Sequence, residues 1–183
     1  MNEVNTFWYN MEELILRQMN GISLKVYLLS SLGGAILVHI LYFVYSRVKD
    51  TKMLLRRELL LIMLIVYACF IYQITVYNRA AGSRGGVNTY FLMSYGLLNL
   101  VLFIPWGALL AALQSRTGNG KRILMAVCYC FLTSCTIEFI QLITKRGYFE
   151  LTDLFFNTLG GLAGSLLTGL LYVLIGVNRR KNV

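Results

Sequence analysis

Five stretches of the chain are long, apolar and almost free of charge, at roughly 24–46, 59–77, 91–113, 123–143 and 154–176. A helix rising about 1.5 Å per residue needs about 20 residues to cross about 30 Å of hydrocarbon, and every stretch comes close to that length or exceeds it. Barrel strands would be about half as long and would alternate apolar with polar positions. Inside a bilayer the backbone amides have only one another as partners, so the stretches are expected to be α-helices. The pattern therefore predicts an all-α membrane protein, a polytopic bundle of five transmembrane helices forming one integral membrane domain over 1–183.

Ahead of the first span, Val4, Phe7, Trp8, Met11, Leu14 and Ile15 recur at three- and four-residue spacing. Polar residues fill the rest of the wheel, which predicts a short amphipathic helix within 1–23 lying in the interface, with Trp8 and Tyr9 at headgroup level. A secretory signal would open on a basic segment followed by an apolar one. Glu3, Glu12 and Glu13 stand there instead, so this segment is expected to be retained.

Composition agrees with the bilayer reading: 57% of residues are hydrophobic and 14% charged. The net charge of +9 would suggest a nucleic-acid partner in a soluble protein, but its placement argues otherwise. Eleven of the 17 Lys and Arg fall in 47–57, 114–122 and the tail, and the alternate segments hold the other six. The positive-inside rule then puts the N-terminus outside and the C-terminus in the cytoplasm. The basic loops read as orientation signals and anionic-lipid contacts, with no nucleic acid involved. Cys69, Cys128, Cys130 and Cys135 all lie within spans and read as packing residues rather than a disulfide framework. No metal site and no cofactor is expected. His39, about 22 Å into the first span by helical rise, is expected to face the bundle and hydrogen-bond a neighbour.

Glu138 is the only acidic side chain within these five stretches. A carboxylate in the membrane costs a few kcal/mol even on lenient scales, so it is expected to face the bundle interior with a partner or a task. It lies about 8 Å below the outer edge of its helix by rise. Gln141 shares its helix face, and the short connection 147–152 makes the fourth and fifth spans antiparallel neighbours, bringing Asp153 and Asn157 opposite. Asn99 comes from the third span, where Pro105 and Gly107 are expected to kink the helix and free carbonyls. Gly160, Gly161, Gly164, Ser165 and Gly169 form a small-residue stripe that admits a close neighbouring helix, or a second copy of the chain. The expectation is a polar pocket in the outer leaflet ringed by Arg79, Arg84 and Arg146, held in shape by a salt bridge from Arg146 to Asp153 or Glu138. Asn99, Gln141 and Asn157 also suit plain hydrogen bonds between helices.

Three segments, NLVLFIPWG at 99–107, EFIQ at 138–141 and RGYFELTDLFFNTLGG at 146–161, together resemble the VanZ-like family of bacterial membrane proteins. The resemblance covers about 60–176. It marks Asn99, Pro105, Gly107, Glu138, Gln141, Arg146, Asp153, Asn157, Gly160 and Gly161, and implies a multi-pass protein of the bacterial plasma membrane. The family takes its name from a protein associated with teicoplanin resistance in Gram-positive bacteria, so a contribution to glycopeptide resistance is implied. The chain departs from the pattern in 78–90, which is Gly-rich and lacks proline.

Three functions fit these residues. The first is a binding protein whose pocket (Asn99, Glu138, Gln141, Arg146, Asp153, Asn157, Arg79) takes the headgroup of an envelope lipid, a lipid-linked cell-wall component or a lipoglycopeptide. Arginines suit phosphate there, and amides and carboxylates suit sugar or peptide groups. The second is an intramembrane hydrolase or phosphotransferase with Glu138 as base, Asp153 as second carboxylate and Arg146 stabilising developing charge. The third is a small proton-coupled transporter with Glu138 as carrier, which five spans without an internal repeat support less well.

Overall fold

α-Helices occupy all five apolar stretches. The structure, a computed structural model, describes residues 13, 23–49, 54–79, 82, 85–88, 93–114 and 117–181. The helices are α1 (Leu24–Val48), α2 (Leu55–Tyr72), α3 (Met93–Leu113), α4 (Asn119–Ile143) and α5 (Leu151–Lys181). A π-helical turn, Gln73–Tyr77, continues α2. All five are long and apolar enough to cross a membrane, and no more than 33% of any span's most apolar window is buried inside the protein. Many leucines and isoleucines of the spans, among them Leu28, Leu59, Leu132, Ile143 and Leu166, are exposed, as side chains solvated by lipid are. The amphipathic helix expected within 1–23, and Arg84, lie outside the described residues.

Two features depart from the sequence expectation. First, α2 begins at Leu55, so Arg56, Arg57 and Glu58 are helical, and α5 begins at Leu151 and includes Asp153. Glu138 is therefore not the lone acid of the spans. His39 of α1 hydrogen-bonds Glu58, but in reverse of the expected placement the histidine side chain is 57% exposed and the glutamate 13%. Second, two-residue strands β1 (Val87–Asn88) and β2 (Phe149–Glu150) pair in parallel, tying the connection after α2 to the α4–α5 turn. Alternating apolar runs do not announce so short a pairing.

The small-residue stripe finds its partner within the chain. α3 and α5 run parallel and in register, meeting at Gly96–Phe156, Leu100–Gly160, Ile104–Gly164 and Ala108–Thr168, one helical turn at a time. A Cβ at Gly164 would fall on the carbonyl of Ile104, one at Gly160 on that of Leu100, and one at Gly107 on Gly161. Backbones that close can be reached only by glycine, and Cα–H···O contacts form in this geometry. Gly161 makes room for Cys130 of α4, and Gly169 meets Ile123. A second copy docking on the stripe would have to displace these helices. α3 is unbroken through Pro105, and the Leu102 carbonyl a turn earlier accepts the Tyr67 hydroxyl at 2.7 Å. Phe103, Trp106, Ile71, Val76, Cys130 and Ile137 form the apolar core where α2, α3 and α4 converge.

A closed polar cluster at one end of the bundle

The buried face of α4 carries Cys130, Ser134, Ile137, Glu138 and Gln141 at helical spacing. The helix then stops in a Schellman arrangement: Arg146 N–H donates to the Gln141 carbonyl at 2.9 Å and Lys145 N–H to that of Leu142 at 3.2 Å. Lys145 takes the left-handed conformation (φ 53°) usually left to glycine at this position. This sharp stop lets β2 cross the end of α4 and deliver the first turn of α5 against it. Glu138 Oε2 accepts the N–H of Glu150 at 2.7 Å, immediately before α5. A side chain of one helix thereby caps the start of another. Asp153 sits in the first turn of α5, so both carboxylates lie at the positive end of its dipole.

The sequence expectation placed Glu138, Gln141, Asp153, Asn157 and Asn99 together, and the structure does bring them together. The Asn99 side chain hydrogen-bonds Asp153. Gln141 Nε2 donates to the Thr75 carbonyl at 2.8 Å, and Asn157 Nδ2 donates to Ser134 Oγ at 2.7 Å. The cluster is closed rather than an open pocket: Glu138, Gln141, Asp153 and Asn157 are 1–6% exposed.

The salt bridge expected of Arg146 is not formed, and the cation acting on the two acids is Arg79. Arg146 forms no ion pair with Glu138 or Asp153. Its Nη1 donates instead to the carbonyls of Val76, Tyr77 and Arg79, at 3.2, 3.0 and 2.8 Å, capping the C-terminal end of α2. Helix ends leave such carbonyls without intrahelical donors, and a guanidinium with several N–H groups serves them better than it serves a carboxylate already held elsewhere. Arg79 is the charge that acts on both Glu138 and Asp153, with Glu150 adding a third acid nearby. Its guanidinium lies over Gly147 beside the Gln141 carboxamide, where a Cβ at Gly147 would come within 2.7 Å of Nη1. Replacing Arg146 with alanine removes a charged cap from three carbonyls and should destabilise the fold by roughly 2–3 kcal/mol, read as a lower unfolding midpoint in detergent. Unchanged stability would mean that solvent or lipid serves those carbonyls equally well.

The sequence reading missed three members of the cluster. Gln73, in the π-helical turn, is 1% exposed, and neither end of its carboxamide has a partner among the described residues. The buried carboxamide of Asn78 is in the same state, as are Gln141 Oε1 and Asn157 Oδ1. Ser134, the third, is fully buried as the Asn157 acceptor. Gln73 had a visible signal, a lone amide in an otherwise apolar run. Buried polar groups without partners are uncommon, and among the described residues four carboxamides supply them: Gln141 and Asn157 beside the carboxylates, and Gln73 and Asn78 in and just after the π-helical turn that Gln141 bonds.

A family model described as VanZ/LLP1 matches residues 35–172, three quarters of the chain. No curated protein and no solved structure matches it.

Proposed function

The chain belongs to the VanZ-like family, and on that premise we propose that the polar cluster binds a hydroxyl- or amide-bearing group of a cell-envelope lipid or lipoglycopeptide at the outer face of the bacterial plasma membrane. Through that binding the protein contributes to glycopeptide (teicoplanin) resistance. The observation that carries this reading is the set of buried carboxamide atoms on Gln73, Asn78, Gln141 and Asn157 that have no partner among the described residues. Each such atom costs about 1–3 kcal/mol, a penalty relieved when a ligand's hydroxyl or amide groups meet it. Carboxamides both donate and accept, which suits sugars and peptides better than a bare phosphate. The outward placement rests on the distribution of Lys and Arg. Because the cluster is closed, binding must part a contact, and the β1–β2 pairing beside it is only two residues long.

A second reading, an intramembrane enzyme with Glu138 as base, draws support from Arg79 acting on two carboxylates. Against it, Glu138 is already engaged by the Glu150 N–H. The two separate in a teicoplanin-susceptibility assay in a susceptible Gram-positive host, with protein level followed by immunoblot. Binding predicts that Asn157→Leu and Gln73→Leu lose the effect while Glu138→Gln, which keeps an acceptor for Glu150, retains most of it. Catalysis by Glu138 predicts the reverse order of severity. If all three variants behave as wild type at equal protein level, the cluster is not the functional site.

A further inference from the structure

At the opposite end of α2 lies a feature that the polar cluster leaves unused. A cleft of about 410 Å³ opens between the start of α2 and the end of α3, its lining combining the apolar Leu55, Leu60 and Leu113 with the polar Arg56, Arg57 and Gln114. We propose that this cleft binds an anionic phospholipid whose headgroup carries hydroxyls, with the phosphate at the arginines and an acyl chain along the leucines.

Four observations converge on that chemistry. The volume falls in the range of small-molecule sites, about 300–1,000 Å³, and far exceeds what a phosphate ion alone would fill. The start of α2 has Leu54 at its cap position with no side-chain acceptor, so the N–H groups of Leu55 and Arg56 have no acceptor inside the helix and present a positive dipole end. The acid of that first turn, Glu58, is drawn away to His39 and does not neutralise the arginines. Arg56 is held by Tyr172, whose hydroxyl it hydrogen-bonds and whose ring lies 5.5 Å from its guanidinium carbon, which positions the charge without cancelling it.

Gln114 narrows the choice. Its Oε1 is buried without a partner among the described residues and can only accept. A phosphodiester offers acceptors alone, so the donor has to come from a headgroup hydroxyl. The loops flanking the cleft belong to the more basic set of segments, where anionic lipid gathers.

The test uses the full chain in detergent, incubated with phosphatidylglycerol, phosphatidic acid or phosphatidylcholine, with the lipid-bound fraction read by native mass spectrometry. Retention should follow the order phosphatidylglycerol, phosphatidic acid, phosphatidylcholine. Arg57→Gln, alone or with Arg56→Gln, should weaken retention of both anionic lipids, by about tenfold for the pair. Gln114→Leu should erase the preference for phosphatidylglycerol over phosphatidic acid. Leu60→Trp, which fills the apolar part of the lining and leaves both charges, should also reduce retention and covers the case in which the arginine pair fails to fold. Equal binding of phosphatidylcholine, or displacement of the lipid by inorganic phosphate, would overturn the proposal. So would loss of phosphatidylglycerol in Asn157→Leu but not in Arg57→Gln, because the lipid would then occupy the polar cluster.

Discussion

Leucine at Gly164 should separate α3 from α5 and lower stability by more than about 3 kcal/mol, beyond the ordinary cost of an overpacked core. The obstacle is backbone on both sides: a Cβ there meets the carbonyl of Ile104 and, at 2.8 Å, the amide nitrogen of Ala108. No rotamer change relieves a clash with a helix's own main chain, so the whole helix must move. Because the two helices touch at successive turns from Gly96 to Thr168, a shift at Gly164 propagates to the Leu100–Gly160 contact and to Asn99, which bonds Asp153. On the scaling of soluble domains of this size, a loss of about 3 kcal/mol lowers the unfolding midpoint by roughly 6–12 °C. Gly33→Leu in α1 is the matched control, since nothing lies within 4 Å of a Cβ there. Equal midpoints for the two variants would refute the parallel α3–α5 register. A Gly164→Leu protein of normal stability but altered oligomeric state would instead assign the stripe to contacts between copies.

This helix pair also shows how far the sequence could be read. The five spans were visible because each is a run of apolar residues too long for anything but a membrane helix. The glycine stripe was equally visible, but its partner was not. A short connection identifies α4 as a neighbour of α5, whereas α3 is separated from α5 by an entire span, and periodicity carries no information on which helix fills a groove. Helix ends were less accurate where charged residues adjoin the apolar run. α2 extends back through Glu58, Arg57 and Arg56 because His39 and Tyr172 give two of these charges partners inside the fold.

For the polar cluster, Glu138, Gln141, Asp153 and Asn157 could be grouped from one hairpin, since a tight α4–α5 turn brings them opposite one another. The use of Arg146 on backbone carbonyls rather than on an acid was hidden. It depends on the π-helical turn at the end of α2, where the Asn78 N–H bonds the Gln73 carbonyl and leaves those of Val76, Tyr77 and Arg79 directed at the α4–α5 turn. Nothing in the composition of 73–79 signals a π-helical register. Gln73 was overlooked for a different reason: it stands on the second span, which no short connection ties to Glu138 and Asp153, although a buried amide without a partner is as informative as a paired acid.

The place of Arg79 beside the two acids leads to the other large effect. Arg79→Leu should destabilise the protein by roughly 2–3 kcal/mol, below what breaking a buried salt bridge costs, because Arg79 is only half-buried and acts on Glu138 and Asp153 through space without a salt bridge to either. Its removal leaves Glu138, at 1% exposure, and Asp153, at 6%, beside Glu150 with no cation acting on them. The α5 dipole and the Glu150 N–H offset part of that cost, each by an amount too small to replace a full charge. If repulsion is the cause, neutralising one acid must help: Asp153→Asn in the Arg79→Leu background should recover at least about 1 kcal/mol. Asp153→Asn alone should cost less than Arg79→Leu, since it gives up one favourable charge at the helix start while Glu138 keeps Arg79. Unfolding midpoints of the wild type, both single variants and the double variant close the cycle. Strict additivity would mean that Arg79 packs against Gly147 and Gln141 without governing the two carboxylates, and the electrostatic account of the cluster would then be wrong.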